Sequence, residues 1–213
     1  MKRLLALCLV GLVTLLTGMQ SASAQPRPLR VAIVGDSFAV GVGANSSGDS
    51  FANVLAARGC WNLDLVARSG SGYAASADPY VSFSRVAAVA SAIPDVIIIQ
   101  GSGNDRGDAR LFVAAAGLYA TFRVVAPQAR IVVVGPTGAP NAKHENIDNI
   151  RRTLRDAAGV AGVTFIDPKA EGWLNAATDY APDGIHPNTR GHARMATRVF
   201  DALSAQGIPR SCR

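Results

Sequence analysis

Five short apolar runs, rich in β-branched and aliphatic residues, constrain the fold of this chain more than any other feature: residues 31–34, 63–67, 96–99, 131–134 and 163–166. They are apolar at nearly every position, the pattern of strands covered on both faces rather than one. The stretches between them, residues 50–58, 80–92, 109–126 and 145–158, carry apolar residues at roughly helical spacing, and a last helix is expected over 189–205. Strands alternating with helix-length segments predict a parallel sheet inside a three-layer α/β/α sandwich of five strands. A flavodoxin-like order, 2-1-3-4-5, places the first strand centrally, beside the topological switch point where open α/β sheets bind their ligands.

The ends of these runs are therefore where chemistry is expected. The first closes on Gly35-Asp36-Ser37, which puts a small hydroxyl just beyond the carboxyl end of a buried strand. Alone, this tripeptide reads equally as a turn with a helix cap. The second run is followed by Arg68-Ser69-Gly70-Ser71-Gly72-Tyr73 and the third by Gln100-Gly101-Ser102-Gly103-Asn104-Asp105. Glycines let backbone approach a substrate closely, and the Asn104 amide is a neutral hydrogen-bond donor. Late in the chain, Asp183 and His186 stand three residues apart, within reach of one turn. Pro187 restrains His186 to extended conformations, and Asn188 is placed to cap the last helix. A hydroxyl needs such a base, being too weak a nucleophile on its own at neutral pH.

The N-terminus begins with Lys2 and Arg3, continues apolar from Leu4 to Leu16 and reaches Ser21-Ala22-Ser23-Ala24. These are the parts of a secretory signal peptide over residues 1–24, with cleavage expected after Ala24. The apolar run is shorter than the ~20 residues that span a bilayer, so no stable membrane insertion is expected after cleavage. Residues 25–213 then form one domain, secreted or held in the periplasm or cell envelope. Beyond residue 24 only Cys60 and Cys212 remain, and in an oxidising compartment they are expected to pair, stapling the C-terminal tail beside Trp61. The formal charge of +6 is spread along the chain. Its densest cluster, Arg151, Arg152 and Arg155, has helical spacing and reads as a solvated face, so no nucleic-acid partner is expected.

Taken together, these blocks make the chain resemble the SGNH hydrolase superfamily, the GDSL esterases and lipases. Gly35-Asp36-Ser37 matches its first block, Gly72 its second, Asn104-Asp105 its third and Asp183-x-x-His186 its fifth, in order across nearly the whole chain past residue 24. The third block departs from the usual Gly-x-Asn-Asp, with Ser102 where the glycine is expected and Gly101 one residue earlier. The resemblance implies Ser37 as nucleophile, His186 as general base and acid, and Asp183 as the residue orienting the imidazole. It also implies an oxyanion hole from the Ser37 and Gly72 N–H groups and the Asn104 side chain, with Gly70 the competitor for the place of Gly72. No cofactor or metal is implied. A trio of Asp183, His186 and His192 is not expected to hold an ion, because His192 falls inside the last helix while His186 precedes it.

The expected activity is hydrolysis of a carboxylic ester, short-chain or on an acetylated carbohydrate in preference to long-chain lipid, by a monomer. Two other readings share these residues: transfer of the acyl group to a sugar or lipid alcohol, and an inactive glycan-binding module. Trp173, Tyr180 and Tyr73 are near the motifs in sequence and are candidates for shaping the pocket, although core packing accounts for Trp173 equally well.

Overall fold

The computed structural model describes residues 27–74, 78–101 and 103–212. The proposed signal peptide and Ser102 lie outside the described residues. Five parallel strands, β1 (Arg30–Gly35), β2 (Asn62–Ala67), β3 (Val96–Gln100), β4 (Arg130–Val134) and β5 (Thr164–Ile166), form one sheet in the order β2-β1-β3-β4-β5. The helices are α1 (Ser37–Val40), α2 (Phe51–Gly59), α3 (Phe83–Ala92), α4 (Ala109–Val125), α5 (His144–Ala161) and α6 (Thr189–Ala205). This is the expected α/β fold and strand order.

Side chains of a strand alternate between the two faces of its sheet, so each strand feeds two cores. Val31, Ile33, Ile98, Val132 and Val134 pack with Phe51 and Leu55 of α2 and with Met195, Val199 and Leu203 of α6. Their neighbours Ala32, Val34, Ile97, Ile99 and Val133 pack on the opposite face with Val89, Leu111, Leu118, Phe122, Ile150 and Leu154 of α3, α4 and α5. Strands β1 and β3 are buried almost throughout. Edge strand β2 is not: it is partly exposed along its length, with Leu65 and Asn62 facing solvent. Its apolar run over-predicted burial on both faces because Asp64 and its edge position leave it half covered.

Helix boundaries follow the caps more than the periodicity. Helix α2 begins after Ser50, whose Oγ accepts from Asn53 N, and α4 after Asp108, whose carboxylate accepts from Arg110 N and Leu111 N. Helix α3 starts at Phe83, three residues later than expected, because Tyr80 is engaged elsewhere: its N donates to Gly72 O and its hydroxyl to Gln100 O. The expected disulfide is present between Cys60 and Cys212, 152 residues apart. It adjoins other fastenings of the tail: Ser211 N donates to Gly59 O, and Trp61 Nε1 to Pro209 O. The Arg151 cluster is more than a solvated face. Arg151 reaches Asp148 and Asp167, and Arg155 also pairs with Asp167, tying α5 to the end of β5.

Candidate active site

The nucleophile turn leaves the central strand. β1 ends at Gly35, and Asp36, 2% exposed, accepts from Phe38 N through Oδ1 at 2.9 Å. Asp36 is thus the cap of α1, and Ser37 is the first helical residue, its hydroxyl released from capping duty. Behind it, the Gln100 side chain accepts from Asp36 N (3.3 Å) and donates to Gly101 O (2.6 Å), linking the ends of β1 and β3.

The base-bearing turn lies between β5 and α6 and is closed mainly by local bonds. Asp183 Oδ1 accepts from the N–H groups of Ile185 (2.8 Å) and His186 (3.0 Å), while Oδ2 lies 2.6 Å from His186 Nδ1. The other ring nitrogen, Nε2, is 2.9 Å from Ser37 Oγ. With Nδ1–H donating to the carboxylate, Nε2 carries the lone pair and the Ser37 hydroxyl donates to it. Burial pushes the Asp183 pKa up, but the His186 imidazole and the two backbone N–H groups outweigh this and bring it down to about 2. Below the turn, Asn188 caps α6 as expected, its Oδ1 accepting from Gly191 N, while its Nδ2 donates to Thr178 O and Tyr180 O. Buried Asp179, paired with Arg190 and Arg194, holds the segment leading into the turn against α6.

The expected oxyanion loops meet beside this pair. Asp105, fully covered, accepts from Tyr73 N and Ala74 N at 2.8 Å each, joining the loop after β2 to the loop after β3. Gly72 sits against that carboxylate so closely that a Cβ there would lie 2.6 Å from Asp105 Oδ2. Gly70 stands on an exposed turn with nothing within 4 Å of such a Cβ, so of the two only Gly72 is packed against the loop that carries Asn104 and Asp105. The Asn104 amide donates to Ser71 O (2.9 Å) and faces Asp36 Oδ2 at 3.5 Å, which keeps it beside the nucleophile turn.

Ser37, His186 and Asn104 open onto a cavity of about 350 Å³. Its apolar lining includes Phe38, Pro136, Ile147, Ile185 and Met195, and its polar side carries Thr137, Asn141, Lys143 and Asn146. None of the three aromatic candidates for the pocket lines it. Tyr73 and Trp173 are core residues, one tilted against Tyr80 and edge-on to Tyr119, the other donating Nε1–H to Glu171, and the Tyr180 hydroxyl donates to Thr137 Oγ1. His192 is buried beneath the site. Its Nδ1 accepts from Phe51 N and its Nε2–H donates to Val42 O, so the ring ties the first residue of α2 to the loop after α1, and burial lowers its pKa. Gln100, Asn141 and Asn146 were not singled out from the sequence. The rule that flagged the ends of the first three strands, applied to the fourth, points to the segment that holds Asn141, whereas Asn146 lies within α5.

The chain is 28% identical over 215 residues to a GDSL lipase of Mycobacterium tuberculosis, a match covering 92% of this chain and 93% of that one. Among solved structures it is similar to a family 3 carbohydrate esterase of Clostridium thermocellum (TM-score 0.68, 19% identity, 84% of this chain and 99% of that chain). It is also similar to a family two carbohydrate esterase of the same organism in complex with cellohexaose (TM-score 0.65, 20% identity, 86% and 66%). At these identities the two structures speak to the fold. The family is carried by the match of residues 33–194 to the GDSL-like lipase/acylhydrolase model, a span that runs from β1 through the base-bearing turn into α6. By that match the chain belongs to the GDSL-like lipase/acylhydrolase family and is an SGNH hydrolase.

Proposed function

We propose that the protein is an exported serine esterase that cleaves short-chain or carbohydrate-borne carboxylic esters through an acyl-enzyme on Ser37. The observation that carries this reading is the continuous bridge in which His186 contacts Asp183 at 2.6 Å on one ring nitrogen and Ser37 at 2.9 Å on the other. Those separations fall within the reach required of a nucleophile, its base and the group orienting that base.

In this mechanism His186 Nε2 takes the Ser37 proton as Oγ attacks the ester carbonyl. The charge that develops on the carbonyl oxygen is met by the N–H groups of Ser37 and Gly72 and the Asn104 amide, where such donors lower a barrier by about 3–4 kcal/mol each. His186 then protonates the departing alcohol, and Asp183 stabilises the imidazolium in between. Water repeats the sequence to release the acid and restore Ser37. The cavity size and its apolar lining support a small acyl group, and the polar side with Thr137, Asn141 and Asn146 supports a hydroxyl-rich alcohol. The carbohydrate esterases of like fold are in keeping with such an alcohol.

Residues 1–24 act in this reading as a signal peptide and residues 25–213 as the working domain, active outside the cytoplasm. The disulfide supports an oxidising compartment. Among the described residues no helix is long and apolar enough to cross a membrane.

The test is a panel of p-nitrophenyl esters of increasing acyl length, run beside acetylated xylan and peptidoglycan. The reading expects acetyl and other short esters to be cleaved fastest, with all cleavage lost in Ser37→Ala. Preference for long acyl chains would overturn the substrate assignment, and intact-mass analysis finding residues 1–24 on exported protein would overturn their assignment as a cleaved signal peptide.

A further inference from the structure

The wall of the cavity formed by the segment after β4 contains two asparagines that reach in different directions. Asn141 N donates to Gly184 O at 2.9 Å, and Asn141 Nδ2 donates to Asp183 O at 2.7 Å. One residue thus makes two bonds to the backbone of the turn that carries the base. The seating is close: Gly184 has φ +65°, and a Cβ on it would lie 2.4 Å from Asn141 Nδ2. The turn therefore requires glycine at 184 both for its backbone conformation and for contact with Asn141. Asn146, in the first turn of α5, faces the other way. Its Nδ2 donates to Asp105 O at 3.0 Å and its Oδ1 accepts from Gly107 N at 3.3 Å, gripping the loop that presents Asn104. Both side chains line the cavity itself.

The base turn and the Asn104 loop come from distant parts of the chain and must be held at a fixed separation for acyl transfer, because an error of about 1 Å in such a constellation costs roughly a hundredfold in rate. The segment from Asn141 to Asn146 touches both. We propose that Asn141 and Asn146 are positioning residues that together set His186 and Asn104 relative to one another. Asn141 acts through the Asp183 turn, and Asn146 through the Asp105 backbone. The inference rests on the acyl-transfer reading above. It assigns the segment after β4 a part in the reaction that none of the four matched sequence blocks contains.

The experiment compares the full chain with Asn141→Ala, Asn141→Ser and Asn146→Ala, using a fluorophosphonate probe and p-nitrophenyl acetate. Each variant should still take up one probe per chain, while the second-order labelling rate and kcat fall roughly ten- to a hundredfold in the two alanine variants. KM for p-nitrophenyl acetate should change less than about twofold, since this ester carries no hydroxyl-rich alcohol for the polar side of the cavity to bind. Asn141→Ser keeps a donor at this position and should recover part of the rate. Labelling of the variants at the wild-type rate would overturn the inference. So would reduced stoichiometry with a normal rate in the labelled fraction, which would mean that the asparagines only support folding. A wild-type chain that neither labels nor hydrolyses the ester would overturn the acyl-transfer reading, and this inference with it.

Discussion

The two halves of the Ser37–His186 pair are built by different means. Ser37 follows the central strand, is 8% exposed, and sits where β1 is flanked by β2 and β3, so its place is set by the whole sheet. His186 stands outside the sheet on a turn whose Asp183 side chain is 47% exposed, and that turn is closed by its own carboxylate, by Ala181 N donating to His186 O and by the Tyr180–Pro187 bridge. The nucleophile is a property of the global fold, whereas the base belongs to a local motif pressed against it. Changes to the first should alter chemistry without altering structure, whereas removing the acceptor oxygen that closes the second should alter both.

The largest expected effect is that of Ser37→Ala, which should lower ester hydrolysis by about 10⁴-fold or more while leaving the thermal transition in place. Asp183→Asn should come next. Its side-chain oxygen still accepts from Ile185 N and His186 N, so the turn survives, but the imidazole loses its carboxylate partner and kcat should fall about 10³- to 10⁴-fold. Asp183→Ala should show the contrast directly, adding faster amide exchange at Ile185 and His186 to a similar loss of rate. If Asp183→Ala leaves that exchange unchanged, the turn does not depend on its carboxylate.

Replacing Cys60 and Cys212 by serine opens a loop of 152 residues and should cost about 2–5 kcal/mol in chemical denaturation. The tail it releases packs by α2, away from both turns, so kcat at 25 °C should change little. A matching collapse of activity would show that the nucleophile side is less independent than the sheet suggests.

The smallest effect is set by acid. The folded Asp183 pKa of about 2 lies below the ordinary value of 3.8, so the folded state binds this proton less readily than the unfolded chain. The contribution of Asp183 to stability is therefore fully present above about pH 4 and is lost as pH falls toward 2. The amide resonances of Ile185 and His186 should titrate in that window, and those of Ser37 and Phe38 should not follow them. His192 works in the same direction, in a higher pH window. Its pKa is depressed by burial, so its contribution is complete above the unfolded value of about 6.5 and declines as pH falls below it.

The strands themselves and the end-of-strand location of the site were legible because they rest on periodicity and on the geometry of open parallel sheets, whereas the strand order followed from the common topology of such sheets and not from periodicity. Ser37, Asp183 and His186 were legible because each sits where a regular element ends or begins, at the end of a buried strand or on a turn before a capped helix, and because the four blocks together resemble one family. What escaped was whatever depends on which way a side chain turns. Asp36 rather than Ser37 caps α1, Tyr73 turns into the core rather than the pocket, and Arg151 is drawn inward by two carboxylates at different positions in the chain, while for Trp173 the core reading is the one that holds. Asn141 lies in a polar loop with no periodicity and Asn146 in the first turn of α5, and only tertiary contact shows that they touch the base turn and the Asn104 loop.

The most direct test of the central claim is to map the adduct formed by a fluorophosphonate on the folded protein by peptide mass spectrometry. The account predicts one adduct, on Ser37, absent from Ser37→Ala and formed far more slowly in His186→Ala. An adduct on a different residue, or ester hydrolysis that persists undiminished in Ser37→Ala, would contradict it.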